Sequence, residues 1–131
     1  MTQALHPVIS LRLFTDRKCF GPGVAALLHG VEAQRSLRAA AQAMGMAYSK
    51  AWRILHEAEE QLGFKLLDST AGGRHGGGAV LTPEGARFLA AYDGWAAAVR
   101  AEAERLFAAH LGPWAGPDVH PTGMQSDKTE E

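Results

Sequence analysis

Lys50 and Arg53 stand three residues apart in YSKAWR, and Arg74 and His75 stand among five glycines in AGGRHGGG. A spacing of three puts two side chains on one helix face, and glycines let a cation approach an anion without side-chain clash. The chemistry that suits both is phosphate recognition by charge-assisted hydrogen bonds, with arginine also able to take a base edge in bidentate fashion. Four uses stay open to Lys50 and Arg53: phosphate contact, base contact, an internal ion pair or plain solvation. Tyr48 and Ser49 share their turn, and Tyr48 either closes the core or joins the polar face. Trp52 is expected to pack at the edge of the apolar stripe, and His56 to be solvated.

Other chemistries fit less well. No Gly-Lys-Ser/Thr follows the glycines, so a nucleotide-phosphate loop would lack the lysine and the magnesium-binding hydroxyl that its chemistry needs. The six histidines, at 6, 29, 56, 75, 110 and 120, never fall three or four apart, and Cys19 is the sole cysteine. A metal site, a disulfide and a cofactor are therefore not expected. Ser, His and Asp occur, but none in a nucleophile-elbow context, so no enzyme is expected. The net charge of −1 hides an asymmetry, since residues 1–75 hold nine Lys/Arg against six Asp/Glu and residues 76–131 hold four against eight. What matters for an anionic partner is the charge on the contacting face, not the total. No run approaches the ~18 apolar residues of a membrane span, and no leader of signal type opens the chain. The expectation is a cytoplasmic protein with no membrane partner.

These side chains need elements to position them. Residues 8–14 alternate apolar and polar as a half-buried strand does. Pro22 suits a first helical position, and Val24, Leu27, Leu28 and Val31 follow at helical spacing. Ser36 can cap a second helix, with Leu37, Ala40, Ala41 and Met44 along one face and Gly45 at its end. A third helix over 48–62 turns Ala51, Leu55, Ala58 and Leu62 inward and ends at Gly63. The short spacing of these two helices, with Ala41 small at the crossing and Gly45 in the turn, follows the logic of a helix-turn-helix. Residues 64–69 and 79–82 read as two strands of a hairpin whose tip is the glycine-rich segment. Thr82 caps a long fourth helix over about 83–111, with Pro83 at its first position. Leu89, Tyr92, Ala96, Val99, Ala103 and Leu106 form a seam of under three heptads, which either lies on the chain's own core or pairs with a second copy. The fold class is mainly α with a small β component: one domain over 1–111, then a disordered tail over 112–131.

A helix-turn-helix followed by a polar, glycine-tipped hairpin is the layout of a winged helix. The segment SLRAAAQAMGMAYSKAWRILHEAEEQLGFKLLDSTAGGRHGGGAVLTPEGARFLAAYD resembles the DNA-binding domain of the molybdate-responsive ModE-type transcriptional regulators, relatives of the LysR-type helix-turn-helix. The resemblance runs over roughly residues 8–111 and is most specific in GMAYSKAW, in AGGRHGGGAVLTPEG and at Tyr92-Asp93. It implies a winged helix-turn-helix regulator that dimerises and binds double-stranded operator DNA. Three departures stand out. Arg35-Ser36 replaces the usual Gly-Ser, so that turn is expected to bend differently. Ala47 replaces a usual serine, which removes a helix cap worth ~1 kcal/mol. The molybdate-binding domains that normally follow are absent from the 131 residues, so molybdate sensing is not carried over and no oxyanion effector is expected.

The expected DNA contacts are thus Arg35, Ser36, Arg38, Tyr48, Ser49, Lys50 and Arg53, with Arg74 and His75 at the wing. The rival reading is a protein–protein interaction module on the same scaffold with weak DNA affinity.

Overall fold

The computed structural model describes residues 4–70 and 78–116, so Arg74 and His75, and the part of the expected tail from residue 117 on, lie outside the described residues. The elements are β1 (Leu13–Phe14), β2 (Lys18–Phe20), α1 (Pro22–Gln34), α2 (Leu37–Ala43), α3 (Tyr48–Leu62), β3 (Leu67–Thr70), β4 (Gly78–Leu81) and α4 (Pro83–Leu111), with a 3-10 turn at Gly112–Trp114. This is a winged helix-turn-helix, mainly α, with two small antiparallel sheets and a long C-terminal helix. Two compact units divide the chain, Ser10–Asp93 and Met1–Ile9 with Gly94–Glu131, so the division falls inside α4 and not at residue 111.

The Ser10–Asp93 unit packs on Phe20, Leu27, Leu28, Val31, Leu55, Leu66 and Leu89, all essentially inaccessible to solvent. Phe20 sits at its centre, with the rings of Phe88 and Tyr92 each 4.9 Å away in edge-on geometry. Removing such a side chain leaves a cavity as well as losing burial, typically 3–5 kcal/mol for Phe→Ala.

Most local signals act as their chemistry requires. The Ser36 hydroxyl accepts from the Ala39 N–H at 3.0 Å, and the Thr82 hydroxyl accepts from the Gly85 N–H at 2.8 Å. Gly45 and Gly63 take positive φ of 67° and 87° at the ends of α2 and α3. Ala41 is fully buried, but the tightest approach of α1 to α2 uses Gly30, where a Cβ would lie 2.7 Å from the Ala40 Cβ.

Three expectations need correction. Where the alternation predicts a strand over 8–14, only Leu13–Phe14 pairs, against Lys18–Phe20. The partner strand is short because Gly21-Pro22 starts a helix at once, and the Leu11 carbonyl is satisfied by the Tyr92 hydroxyl at 2.7 Å and not by a ladder. The wing strand begins at Leu67 and not at Phe64, because the Glu59 carboxylate takes the amides of Leu66 and Leu67, at 2.8 and 3.2 Å, ahead of regular pairing. The expected tail opens with a 3-10 turn at Gly112–Trp114, with Ala115 buried.

Candidate nucleic-acid interface

The turn of the helix-turn-helix is closed by backbone bonds. Met44 and Met46 donate to the Ala41 carbonyl at 3.0 and 2.9 Å, and Gly45 donates to Gln42 at 3.0 Å. This leaves α3 anchored through Ala51, Leu55 and Ala58, each at most 1% exposed, while its opposite side faces solvent. Ser49, Lys50 and Arg53 are all exposed on that side, and no ion pair reaches Lys50 or Arg53 among the described residues. Among the described residues, the internal ion pair is thereby removed from the uses open to them. The helix starts without a side-chain cap, since Ala47 has none to offer.

A second stripe of α3, at spacings of four, carries Tyr48, Trp52 and His56. The Arg38 guanidinium lies over the Tyr48 ring, 4.2 Å from its centroid, a cation–π contact worth ~0.5–1 kcal/mol at an exposed site. Tyr48 therefore joins the exposed face and does not close the core. Trp52 is 47% exposed and stacks on His56, ring centroids 3.6 Å apart, so it is less enclosed than packing at the edge of the apolar stripe would make it. The His56 Nδ1–H donates to the Trp52 carbonyl at 3.0 Å, which fixes the ring against the helix.

This stripe forms one wall of an open groove of about 350 Å³ whose other wall is the base of the β3–β4 hairpin. Ser36 and Arg38 of the α1–α2 region enter the same groove. Arg35 caps α1 in the left-handed region, φ 58°, and its carbonyl accepts from the Ala79 N–H of β4 at 3.1 Å. The turn thus keeps the conformation a glycine would adopt at little cost, and Arg35 takes that geometry under strain, held by the wing. The structure brings Ser36, Arg38 and Tyr48 to one groove and leaves Ser49, Lys50 and Arg53 on the adjoining outer face of α3.

Several contacts that build the interface were not expected from sequence. Glu59 fastens α3 to the wing through the two amides already described. Thr82, the residue before α4, ties the start of that helix to the wing, its hydroxyl donating to the Lys65 carbonyl at 2.6 Å and its N–H to the Leu66 carbonyl at 2.9 Å. Lys65 and Ser69 line the groove from the hairpin side. The aromatic stripe was open to detection through its four-residue period; the Glu59 and Thr82 contacts had no local signal. Among the described residues no group of three or more His, Cys, Asp or Glu could hold a metal ion, and no helix is long and apolar enough to cross a membrane.

The expected pairing seam divides. Leu89, Tyr92 and Ala96 are at most 5% exposed and belong to the chain's own core. Val99 and Ala103 are half-buried and Leu106 is 41% exposed.

Residues 25–86 match the family model described as bacterial regulatory helix-turn-helix protein, lysR family. The chain is 39% identical over 67 residues to the molybdenum-pterin-binding protein MopB of Rhodobacter capsulatus, covering 51% of this chain and 25% of that protein. It is 34% identical over 86 residues to the DNA-binding transcriptional dual regulator ModE of Escherichia coli K12, covering 65% of this chain and 33% of that protein. The molybdenum transport protein ModE of Herbaspirillum seropedicae is 34% identical over 67 residues, 51% of this chain and 25% of that protein. The chain therefore spans a quarter to a third of the curated relatives it matches. The span matched by the lysR-type family model, residues 25–86, coincides with the winged helix-turn-helix of this chain, and the ModE and MopB proteins are relatives it is similar to.

Proposed function

We propose that this protein is a cytoplasmic DNA-binding transcriptional regulator, not an enzyme, that acts as a homodimer on double-stranded operator DNA. The observation that carries the reading is the outer face of α3, where Ser49, Lys50 and Arg53 are exposed on the second helix of a helix-turn-helix without an internal ion pair among the described residues. In this reading Lys50 and Arg53 enter the major groove with Ser49 and Tyr48, and Arg35, Ser36 and Arg38 meet the phosphates beside it. Arg74 and His75 meet the backbone or the minor groove from the wing. The pairing surface is the later part of the seam, Val99, Ala103 and Leu106.

Selection of bound sequences from random duplex DNA at physiological salt tests this. The expected result is a palindromic motif with half-sites about one helical turn, ~34 Å, apart. Recovery of no preferred sequence, with affinity insensitive to salt, would favour the second reading, a protein-binding module. The observation on that side is the exposure of Leu106 and Leu111, at 41% and 45%.

A further inference from the structure

The groove between α3 and the wing holds two features that the contacts named so far leave unused: Lys65 on the hairpin side and the exposed Trp52 on the helix side. Charge decides what would fit there. Arg38 and Lys65 are its cations, and neither has an ion-pair partner among the described residues. The acidic residue in the wall, Glu59, is turned to backbone, with its Oε2 accepting from Leu66 and Leu67. The groove lining therefore carries two cations against one carboxylate that is engaged by backbone amides, and the flat Trp52–His56 stack lies on one wall. Its occupant should be an extended anion with an apolar, ring-bearing body between its charges.

We propose that this groove seats the sugar-phosphate backbone of one DNA strand, with Lys65 and Arg38 on phosphates and Trp52 against the intervening sugar or a thymine methyl. This deepens the DNA-binding reading and rests on it. It makes Lys65 and Trp52 contact residues, and it makes Glu59 a positioning residue, because Glu59 ties the start of the hairpin to α3 by holding the amides of Leu66 and Leu67. Aromatic faces carry nucleic-acid strands with little sequence preference, and lysine contacts to phosphate carry none. The groove therefore adds affinity and register, and specificity stays with the outer face of α3.

The test uses the full chain with Trp95→Phe and Trp114→Phe, so that Trp52 alone emits, titrated with a duplex carrying the selected site. The expected result is a change in Trp52 emission that saturates together with binding measured by anisotropy of a labelled duplex. Lys65→Gln should flatten the slope of log affinity against log salt by about 0.9 per protomer and weaken matched and mismatched duplexes alike. If the duplex binds but Trp52 emission stays flat and Lys65→Gln keeps the parental slope, the proposal is overturned while the DNA-binding reading survives. If inorganic phosphate alone reproduces the full emission change, the groove is a small-anion site and the proposal is likewise overturned. If no duplex binds even at low salt, the DNA-binding reading fails, and this proposal fails with it.

Discussion

Replacing Gly85 by alanine sets two opposing effects against each other in the first turn of α4. Helix propensity favours alanine by about 1 kcal/mol. The structure opposes it, because a Cβ at Gly85 would lie 2.5 Å from the Leu66 carbonyl oxygen, 3.0 Å from the Leu66 Cα and 3.0 Å from the Thr82 hydroxyl. Two of these atoms are backbone and cannot swing aside. Ordinary contact distances of about 3.5 Å would require the first turn to back away by roughly 1 Å. That movement stretches the Thr82–Lys65 and Thr82–Leu66 hydrogen bonds, at 2.6 and 2.9 Å, which join the start of α4 to the wing. Overpacking of this kind costs about 1–3 kcal/mol, and each weakened bond adds up to about 1 kcal/mol. The net expectation is a loss of about 2–3 kcal/mol. Gly94→Ala in the same helix is the internal control, since nothing lies within 4 Å of its Cβ position, and it should gain about 0.5–1 kcal/mol. Urea unfolding reads both: with a slope of roughly 1–2 kcal/mol/M, the midpoint falls by over 1 M for Gly85→Ala and rises slightly for Gly94→Ala. Equal shifts of the same sign in the two variants would refute the close-approach argument.

The remaining predictions concern the turn, the cap and one titrating contact. Arg35→Gly should raise stability by about 1 kcal/mol by relieving a left-handed residue at φ 58°, whereas Arg35→Ala should not; urea midpoints distinguish them. Ala47→Ser should gain ~1 kcal/mol by supplying the missing cap on α3, seen as a higher melting temperature with unchanged helical content. His29 joins α1 to α4, its ring nitrogens 2.6 Å from Asp93 and 3.1 Å from Glu32. Burial pushes its pKa down, but the hydrogen bond and charge of Asp93, helped by Glu32, outweigh this and hold it above 6.5. Its contribution is therefore complete below pH 6.5 and is lost as pH rises through the higher folded value. The site is half exposed, so the contribution is under ~1 kcal/mol, and His29→Asn should flatten the decline in stability on the alkaline side of pH 6.5.

The parts of the fold legible in sequence are those whose cause is local. Ser36, Thr82, Gly45 and Gly63 act through their own backbone or the next turn, and the inward stripe of α3 follows from a 3.6-residue period. The parts that were not legible depend on a distant partner. The alternation over 8–14 suits a strand, yet pairing reaches only as far as three residues after the turn allow. Leu89 and Tyr92 fit a pairing seam by spacing, but the arrival of Phe20 beneath α4 makes Tyr92 part of the core. Arg35 shows the same limit in reverse: nothing in its side chain favours a positive φ, and the bond from Ala79 to its carbonyl comes from a strand over forty residues away. In the candidate interface, exposure of Ser49, Lys50 and Arg53 was readable from periodicity, whereas the groove wall built by Lys65 and Ser69 required the hairpin's position.

The most direct measurement of the central claim is the salt dependence of affinity for the selected duplex, comparing the parent with Lys50→Ala/Arg53→Ala. The double variant should lose preference for the selected site over unrelated DNA, keep its helical circular dichroism, and show a slope shallower by up to about 1.8 per protomer. An unchanged site preference with an unchanged slope would contradict the placement of α3 on DNA.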